Sequence, residues 1–211
     1  MMDQDLLQRA LGPNRRVSDR VEGQLLDFLQ LFQKWNATIN LVAKSTMDDA
    51  WLRHIVDSAQ VFSRATPEHR LWLDLGSGGG FPGIVVAILA REYLPELRIH
   101  MVESDKRKSV FLAQAVRLLN LDAKVSVCRI EELKPQSASV VSARALAPLG
   151  RLFEYSTLHL GPGGVCAFLK GENAADEIAA ARKEWVFDLD CLPSLTEPKA
   201  SVLFVRGLTH V

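Results

Sequence analysis

The sequence has little cysteine, and its cysteines do not form close pairs. Cys128, Cys166 and Cys191 are widely spaced in a chain of 211 residues, and none belongs to a C-x-x-C motif. A disulfide framework or a zinc knuckle needs cysteines at short, paired spacings. The five histidines are equally scattered, without the spacing of metal ligands. We therefore expect no metal site and a reducing compartment.

Long apolar runs are also missing. The longest one extends from Ile84 to Ala90, whereas a membrane-spanning helix needs about 20 apolar residues. The segment from Met1 to Leu11 carries Asp3, Asp5 and Arg9 where a signal peptide would have an apolar stretch. These two absences predict a cytoplasmic protein that does not associate with a membrane.

The sequence also has no excess of charge of either sign. The 25 basic and 25 acidic residues give a formal net charge of zero, so no global electrostatic attraction to nucleic acid, membrane or an acidic partner is expected. Any basic surface must be local. The hydrophobic content of 48% is enough for one sizeable core.

The sequence pattern predicts helices in residues 1–66. Apolar residues recur at intervals of three and four from Val17 to Trp35, which predicts an amphipathic helix with Ser18 as its N-cap. A second helix is expected from about Asp48 to Arg64, where Thr46 and Asp49 have capping-box spacing. Four polar residues should lie largely off its apolar face: Arg53, His54, Asp57 and Ser58.

After Pro67, short apolar runs alternate with helical stretches, which predicts a mostly parallel sheet. The expected strands are Leu71 to Leu75, Arg98 to Glu103, Ala123 to Cys128, Val140 to Ala143 and Val165 to Leu169. The expected helices are about Pro82 to Glu92, Lys106 to Asn120, Pro148 to Leu160 and Asn173 to Trp185. Two further strands, Trp185 to Asp190 and Lys199 to Arg206, should form an antiparallel hairpin. The prediction is a doubly wound, Rossmann-like α/β sheet of seven strands over residues 67–211, with a helical extension over residues 1–66.

The strongest motif is the stretch from Leu71 to Gly83, a strand that ends in an acid and continues into a glycine-rich turn and a helix. Gly76, Gly78 and Gly80 permit unusual backbone angles and leave no side chain between the backbone and a ligand. The following helix presents its free N–H groups nearby. In such sheets ligands bind at the carboxyl ends of the strands, where Glu103 is placed to accept hydrogen bonds from ribose hydroxyls.

The glycines alone do not identify the ligand, because Gly78 to Gly83 also satisfies the G-x-G-x-x-G pattern of dinucleotide enzymes. Two features favour S-adenosylmethionine: Asp74 precedes the first glycine, and Gly76, Ser77 and Gly78 begin a G-x-G-x-G sequence. An acid there attracts the cationic methionyl end of this molecule and repels a pyrophosphate. A nicotinamide-dependent oxidoreductase stays open as an alternative, as does a glycine turn that only packs helix against strand.

Polar residues also follow the third and fourth strands. Ile130 is placed to contact an adenine face, with Glu131 beside its exocyclic amine, although a solvated helix start explains Glu131 equally well. Arg144 ends an apolar strand and needs an anionic or carbonyl partner. The candidates are the methionine carboxylate, the substrate base and an RNA phosphate. An N/D-P-P-Y/F stretch, found in adenine and cytosine amino-methyltransferases, is missing at this position.

These motifs together resemble the bacterial small-subunit (16S) ribosomal RNA methyltransferase G family. The R-H-x-x-D-S and G-x-P-G elements are the most specific. The matching segments are Lys34 to Leu41, Arg53 to Ser58, Asp74 to Gly83, Glu103 to Lys108, Arg129 to Glu131, Ser142 to Ala145 and Leu169 to Gly171. One departure is Ser139, where the family usually has an acid at the start of the fourth strand.

The resemblance implies a class I methyltransferase that uses S-adenosylmethionine to methylate guanine N7 in a loop of 16S ribosomal RNA. In the family, positions matching Gly76, Phe81, Ile130, Glu131 and Arg144 bind the methyl donor. Together with the residues indicated by the motifs, the donor-binding candidates are Asp74, Gly76, Ser77, Gly78, Gly80, Phe81, Glu103, Ile130, Glu131 and Arg144. Arg144 is also the catalytic candidate, as an orienting residue.

RNA binding should come from local basic residues, in a protein expected to be monomeric. The candidates are Arg15, Arg16, Arg20, Arg53, Lys106, Arg107 and Lys108. Single-stranded or looped-out RNA is the expected target, because N7 inside an A-form helix lies in a deep, narrow groove. A small-molecule methyltransferase and a non-enzymatic RNA-binding module are the remaining alternatives.

Overall fold

The computed structural model describes residues 4–42 and 49–211, in which N-terminal helices precede a region of alternating strands and helices. The α-helices are α1 (Gln4–Leu11), α2 (Asp19–Ile39), α3 (Asp57–Phe62), α4 (Gly83–Tyr93), α5 (Lys106–Leu118), α6 (Leu149–His159) and α7 (Ala174–Ala181). The strands are β1 (Leu71–Leu75), β2 (Arg98–Glu103), β3 (Ala123–Val127), β4 (Ala138–Arg144), β5 (Leu160–Lys170), β6 (Trp185–Pro193) and β7 (Ser201–His210). A π-helical segment (Trp51–Val56) precedes α3, and a 3₁₀ turn (Ile130–Glu132) follows β3.

Within the described residues, seven strands form one sheet in the order β3-β2-β1-β4-β5-β7-β6. The pairs from β3 to β5 are parallel, and β7 is antiparallel to both β5 and β6. This confirms the predicted Rossmann-like fold with its C-terminal hairpin. The strand order reverses at β1, which has β2 on one side and β4 on the other. The carboxyl ends of these strands form the crevice where ligands bind in such folds.

The N-terminal helices pack against one face of the sheet. Ser18 caps α2, because its hydroxyl accepts a hydrogen bond from the Val21 N–H at 3.2 Å, as predicted. Phe28 and Phe32 of α2 are fully buried in the same core as Trp72 of β1 and Ile84 of α4. No helix of the described ranges is both long and apolar enough to cross a bilayer. The division at residues 66 and 67 stays a prediction.

Two features of the N-terminal part differ from the expectation. Helix α1 was not predicted, and the second helix begins with the π-helical segment. His54 and Ser58 are buried, at 4% and 0% exposure, so the prediction that they lie off the apolar face was wrong. The wider i to i+5 winding of a π-helix rotates successive side chains away from the positions of an ideal α-helix. Thr46, the expected capping residue, lies outside the described residues.

Candidate active site

A cavity of about 650 Å³, the first pocket, opens at the carboxyl ends of β1, β2 and β3. Five of the predicted donor-binding residues line it, together with Lys108: Gly76, Gly78, Glu103, Ile130 and Glu131. Leu146 and Tyr155, which no sequence motif indicated, complete its wall with Val102, Ser104, Cys128, Arg129, Glu132 and Ala145. The pocket thus combines an exposed glycine backbone, an apolar side and several carboxylates.

The glycine turn exposes its backbone to this pocket. Gly76 and Gly78 have φ angles of 62° and 51°, which side-chain-bearing residues rarely adopt. A Cβ atom at Gly78 would meet no atom closer than 3.7 Å, so the space beside it is open. A backbone hydrogen bond from the Gly80 N–H to the Ser77 carbonyl at 2.7 Å closes the turn, and one from the Ser77 N–H to the Val102 carbonyl at 3.1 Å joins it to β2. A ligand can therefore approach the backbone of a fixed turn.

Glu103 is the buried carboxylate of this pocket, with 8% of its surface exposed. Its Oε2 accepts a hydrogen bond from the Gly78 N–H at 2.8 Å, and its Oε1 accepts one from the Asp105 N–H at 2.8 Å. A carboxylate offers about four acceptor sites, so two remain for other donors. Glu103 therefore fits the predicted contact with a ribose diol.

Asp74 lies beneath the turn and is fully buried. Its Oδ1 accepts a hydrogen bond from the Ser142 hydroxyl at 2.7 Å, and its Oδ2 accepts one from the Gly83 N–H at 3.2 Å. Burial raises the pKa of Asp74 to about 6, against the opposing effect of hydrogen bonds from Ser142, Ser77 and Gly83. Asp74 thus connects β1, β4 and the start of α4. These bonds give Asp74 a turn-organising role, and its contact with the donor stays a prediction.

Three other predicted donor residues also lie under the turn. The Ser77 hydroxyl donates to the Asp74 carbonyl at 3.0 Å, and a Cβ at Gly80 would lie 2.7 Å from Cγ1 of Ile84. Phe81 is buried in an aromatic cluster, with ring centroids 5.2 Å from Phe28 and 5.0 Å from Phe32. Among the described residues, the lining of the first pocket includes none of these three. Their contacts shape the turn from below.

A second pocket of about 580 Å³ lies at the carboxyl ends of β4 and β5. Ala145 lines both pockets and has a φ of 50°, a conformation that is uncommon for a residue other than glycine and that clusters at functional sites. The other lining residues are Leu41, Val42, Arg53, His54, Asp57, Arg144, Leu169, Lys170, Gly171, Glu172, Asn173, Glu177, Glu197 and Ala200. The two cavities therefore adjoin at the end of β4.

Arg144 faces the second pocket, not the first. Its Nη1 donates to the Arg53 carbonyl at 2.8 Å, and its Nη2 lies 2.7 Å from Nδ1 of His54. The guanidinium carbon sits 5.1 Å from the centroid of the Phe81 ring, a cation–π distance. Burial lowers the pKa of Arg144 to about 10, while Asp57 and Asp74 act in the opposite direction. The side chain is therefore charged at neutral pH.

His54 is neutral at the same pH. Burial lowers its pKa to about 3, and the positive charges of Arg144 and Arg53 act in the same direction. Its ring stacks on Phe81 with centroids 4.9 Å apart and an interplanar angle of 25°. Because a guanidinium can only donate, the Nδ1 atom of His54 is the acceptor of the Arg144 hydrogen bond.

The carboxylates of the second pocket already have partners. Asp57 Oδ1 accepts hydrogen bonds from the Ser194 and Thr196 hydroxyls at 3.0 and 2.8 Å. Two ion pairs hold further carboxylates, Lys170 to Glu177 at 2.6 Å and Arg53 to Glu197 at 2.9 Å. Over the described ranges, no group of three or more histidine, cysteine or acidic side chains could hold a metal ion. These contacts favour a rigid binding wall over a proton-transfer site.

The predicted RNA-binding residues are not in one place. Lys106 and Arg107 are exposed on the first turn of α5, and Lys108 lines the first pocket beside them. Arg53 lines the second pocket. On the N-terminal helices, Arg16 is exposed, and Arg20 pairs with Glu92 at 3.4 Å.

Arg15 differs from the other candidates. Its Nη1 donates to the carbonyls of Phe62 and Ser63 at 3.3 and 3.4 Å, and its Nη2 donates to the Ala65 carbonyl. The guanidinium also lies over the Phe62 ring, and burial lowers its pKa. Arg15 therefore satisfies the carbonyls at the end of α3, and we do not include it in an RNA-binding surface.

Comparisons with known proteins identify the family of this chain. The family model described as rRNA small subunit methyltransferase G matches residues 21–201. A ribosomal RNA small subunit methyltransferase G from Cereibacter sphaeroides is 48% identical over 98% of this chain and 100% of its own length. One from Parvibaculum lavamentivorans is 43% identical over 99% of this chain and 91% of its own length.

Solved structures share the fold at low identity. A SAM-dependent methyltransferase from Aquifex aeolicus has a TM-score of 0.56 at 10% identity, covering 84% of this chain and 97% of its own. TYW2 from M. jannaschii, solved in complex with AdoMet, has a TM-score of 0.56 at 13% identity, covering 83% of this chain and 80% of its own. With the family match over most of its length, the chain belongs to the ribosomal RNA small subunit methyltransferase G family.

Proposed function

We propose that this protein transfers a methyl group from S-adenosylmethionine to N7 of a guanine in a loop of 16S ribosomal RNA in the cytoplasm. The family match supports methylation of small-subunit ribosomal RNA. The observation that carries the finer proposal is the pair of adjoining pockets on either side of Ala145. One has the features of a nucleoside site, and the other presents a guanidinium to an acceptor base.

The first pocket fits the methyl donor. The donor supplies an electrophilic methyl group on a sulfonium centre. In the proposed arrangement the backbone at Gly76 and Gly78 allows its close approach, and Glu103 accepts the ribose hydroxyls with its two remaining acceptor sites. Ile130 offers an apolar contact for the adenine. Glu131, which pairs with Arg151 at 3.0 Å on the pocket rim, accepts the adenine amino group.

The second pocket fits the acceptor. The resemblance implies a donor contact at the position of Arg144, but the residue lines the second pocket and not the first. Arginine commonly recognises guanine through O6 and N7, so this position favours guanine O6 over the methionine carboxylate as the partner of the side chain. During transfer, N7 must be free of any donor, because the new bond to carbon uses its lone pair. Arg144 therefore holds the base by O6 alone when the reaction occurs.

The reaction needs positioning and no general base. Guanine N7 has an in-plane lone pair and no proton, so the nitrogen–carbon bond forms as the carbon–sulfur bond breaks, and no proton is transferred. Holding the reactants in line can supply about 7–11 kcal/mol of the barrier. This agrees with the neutral His54 and the partnered carboxylates of the second pocket.

The experiment is transfer of a tritiated methyl group to 30S particles and to naked 16S ribosomal RNA, followed by mass spectrometry of nuclease fragments. We expect one methyl group on N7 of one loop guanine. Labelling of an amino group or a ribose would overturn the N7 proposal. Labelling of a small molecule in place of RNA would overturn the assignment of the substrate.

A further inference from the structure

We propose that His54 is a positioning residue for methyl transfer, whose Nδ1 atom fixes the direction in which Arg144 faces the acceptor base. The inference rests on the proposed function, because it takes Arg144 to contact the acceptor. It assigns a task to a histidine that the sequence pattern only placed off the apolar face of its helix.

The geometry around Arg144 shows why a second anchor matters. A guanidinium carries five N–H donors in one plane. The hydrogen bond from Nη1 to the Arg53 carbonyl would, by itself, leave the guanidinium free to rotate about that oxygen. The second, from Nη2 to Nδ1 of His54 at 2.7 Å, fixes the orientation of the plane. The remaining N–H groups are then presented in a constant direction for the acceptor.

His54 is itself held firmly. It is only 4% exposed, stacks on Phe81 and meets the Phe32 ring edge-on, with centroids 5.7 Å apart. Because Phe81 also lies under the guanidinium, one aromatic ring supports both partners. The packing fixes the plane of the imidazole, and the hydrogen bond with Arg144 fixes the edge of the ring that carries Nδ1.

The hydrogen bond also requires an unprotonated Nδ1. An imidazolium would direct an N–H at the N–H of Arg144, with two positive charges side by side. The charged groups that face the pair are Arg53 from the π-helical segment, Asp57 from α3 and Asp74 from β1. The lowered pKa of His54, due to burial first and then to Arg144 and Arg53, agrees with this state. The acceptor is therefore available throughout the neutral and mildly acidic range.

The test compares two substitutions. His54→Phe keeps an aromatic ring for the stack on Phe81 but removes the acceptor, whereas His54→Asn keeps an acceptor atom near the position of Nδ1. We expect His54→Phe to lower kcat/KM for RNA by about tenfold or more, the effect of removing a hydrogen bond to a charged group. His54→Asn should recover most of that loss, and both variants should bind the methyl donor as the wild type does.

A double-mutant cycle separates positioning from a general effect on packing. An Arg144→Lys variant has no planar donor group for His54 to orient, so adding His54→Phe in that background should lower kcat/KM less than about twofold further. His100→Asn is the matched control. His100 is equally buried, at 3%, but its ring nitrogens bond to Gln136 and Ser126 away from the second pocket, and its substitution should leave kcat/KM unchanged. Thermal unfolding of each variant identifies any that fail to fold.

Three results would overturn the inference: wild-type activity of His54→Phe, equal losses in the Phe and Asn variants, or fully multiplicative losses in the Arg144→Lys background. Nitrogen-15 NMR of the histidine rings gives a readout that does not depend on methylation. We expect Nδ1 of His54 to be unprotonated at neutral pH. A protonated Nδ1 would contradict the role of His54 but would leave the proposed function standing. A wild-type protein that methylates no RNA would instead overturn the proposed function.

Discussion

Nη2 of Arg144 lies 2.7 Å from Nδ1 of His54, although the two residues are 90 positions apart in the chain. Arg144 ends the central strand β4, and His54 belongs to the π-helical segment that precedes α3. With the hydrogen bond from Arg144 to the Arg53 carbonyl, the pair fastens the N-terminal helical part to the carboxyl edge of the sheet. The N-terminal part therefore contributes directly to the wall of the second pocket.

Two glycines give opposite expectations for stability. A Cβ atom at Gly83 would lie 2.6 Å from Asp74 Oδ2 and 2.8 Å from Met101 Cγ, whereas one at Gly23 in α2 would meet nothing within 4 Å. We expect Gly83→Ala to lower the free energy of unfolding by about 1–3 kcal/mol through overpacking. Gly23→Ala should raise it by about 0.5–1 kcal/mol through helix propensity. Urea unfolding followed by tryptophan fluorescence measures both, and a shift of the same sign in the two variants would contradict this packing.

Asp74 predicts a specific dependence of stability on pH. Its folded-state pKa of about 6 lies above the ordinary value of 3.8, so the folded protein binds this proton more tightly than the unfolded chain. The associated stability is complete below about pH 4 and is lost as the pH rises through about 6, with a slope of at most about 1.4 kcal/mol per pH unit.

The matched variant for this test is Asp74→Asn, which cannot ionise. The free energy of unfolding of the wild type minus that of the variant should fall between about pH 4 and pH 6 and then stay constant. Taking the difference cancels His54, whose lowered pKa makes stability fall as the solution is acidified. A difference that is flat, or that rises with pH, would show that burial does not raise the pKa of Asp74.

The basic turn at the start of α5 should act on RNA alone. Charge reversal in Lys106→Glu and Arg107→Glu should weaken RNA binding, and the slope of log Kd against log salt should decrease by roughly one for each phosphate that the variant no longer neutralises. Donor affinity should not change. Acidic residues are well tolerated in the first turn of a helix, so the variants should fold. Arg98→Glu, at the exposed start of β2 on the opposite edge of the sheet, is the control, and an equal effect there would remove the turn from the RNA surface.

Much of the fold could be predicted because its signals are local. Strands β1 and β2 match their predicted bounds, since each is a short apolar run between clear breaks. The start of β5 was missed: the strand was predicted from Val165 but begins at Leu160, because glycine and proline, which are depleted in strands, fill the stretch between them. Helix α1 is short and buries only Leu7, Ala10 and Leu11, too little for a periodic pattern to indicate it.

The site was harder to predict, because it depends on how distant segments meet. The turn residues Gly76 and Gly78 and the strand-end Glu103 could be placed from the topology alone. The environment of Arg144 could not, since the π-helical winding that buries His54 has no recognisable sequence signal. Tyr155 of α6 reaches the first pocket only through packing. Ser139, the departure from the family pattern, accepts a hydrogen bond from the Arg70 N–H near the start of β4, at the opposite end of this strand from the cleft.

The central claim is that the first pocket binds the donor and the second binds the acceptor base. Measuring donor affinity and RNA methylation for Glu103→Gln and Arg144→Ala side by side tests it most directly. Calorimetry should show that Glu103→Gln raises the Kd for S-adenosylmethionine by about tenfold or more, from a weakened hydrogen bond to a charged group. Arg144→Ala should bind the donor with the wild-type Kd and transfer no detectable label to 16S ribosomal RNA. If Arg144→Ala loses donor affinity as Glu103→Gln does, or methylates RNA at the wild-type rate, Arg144 does not serve the acceptor and the account is wrong.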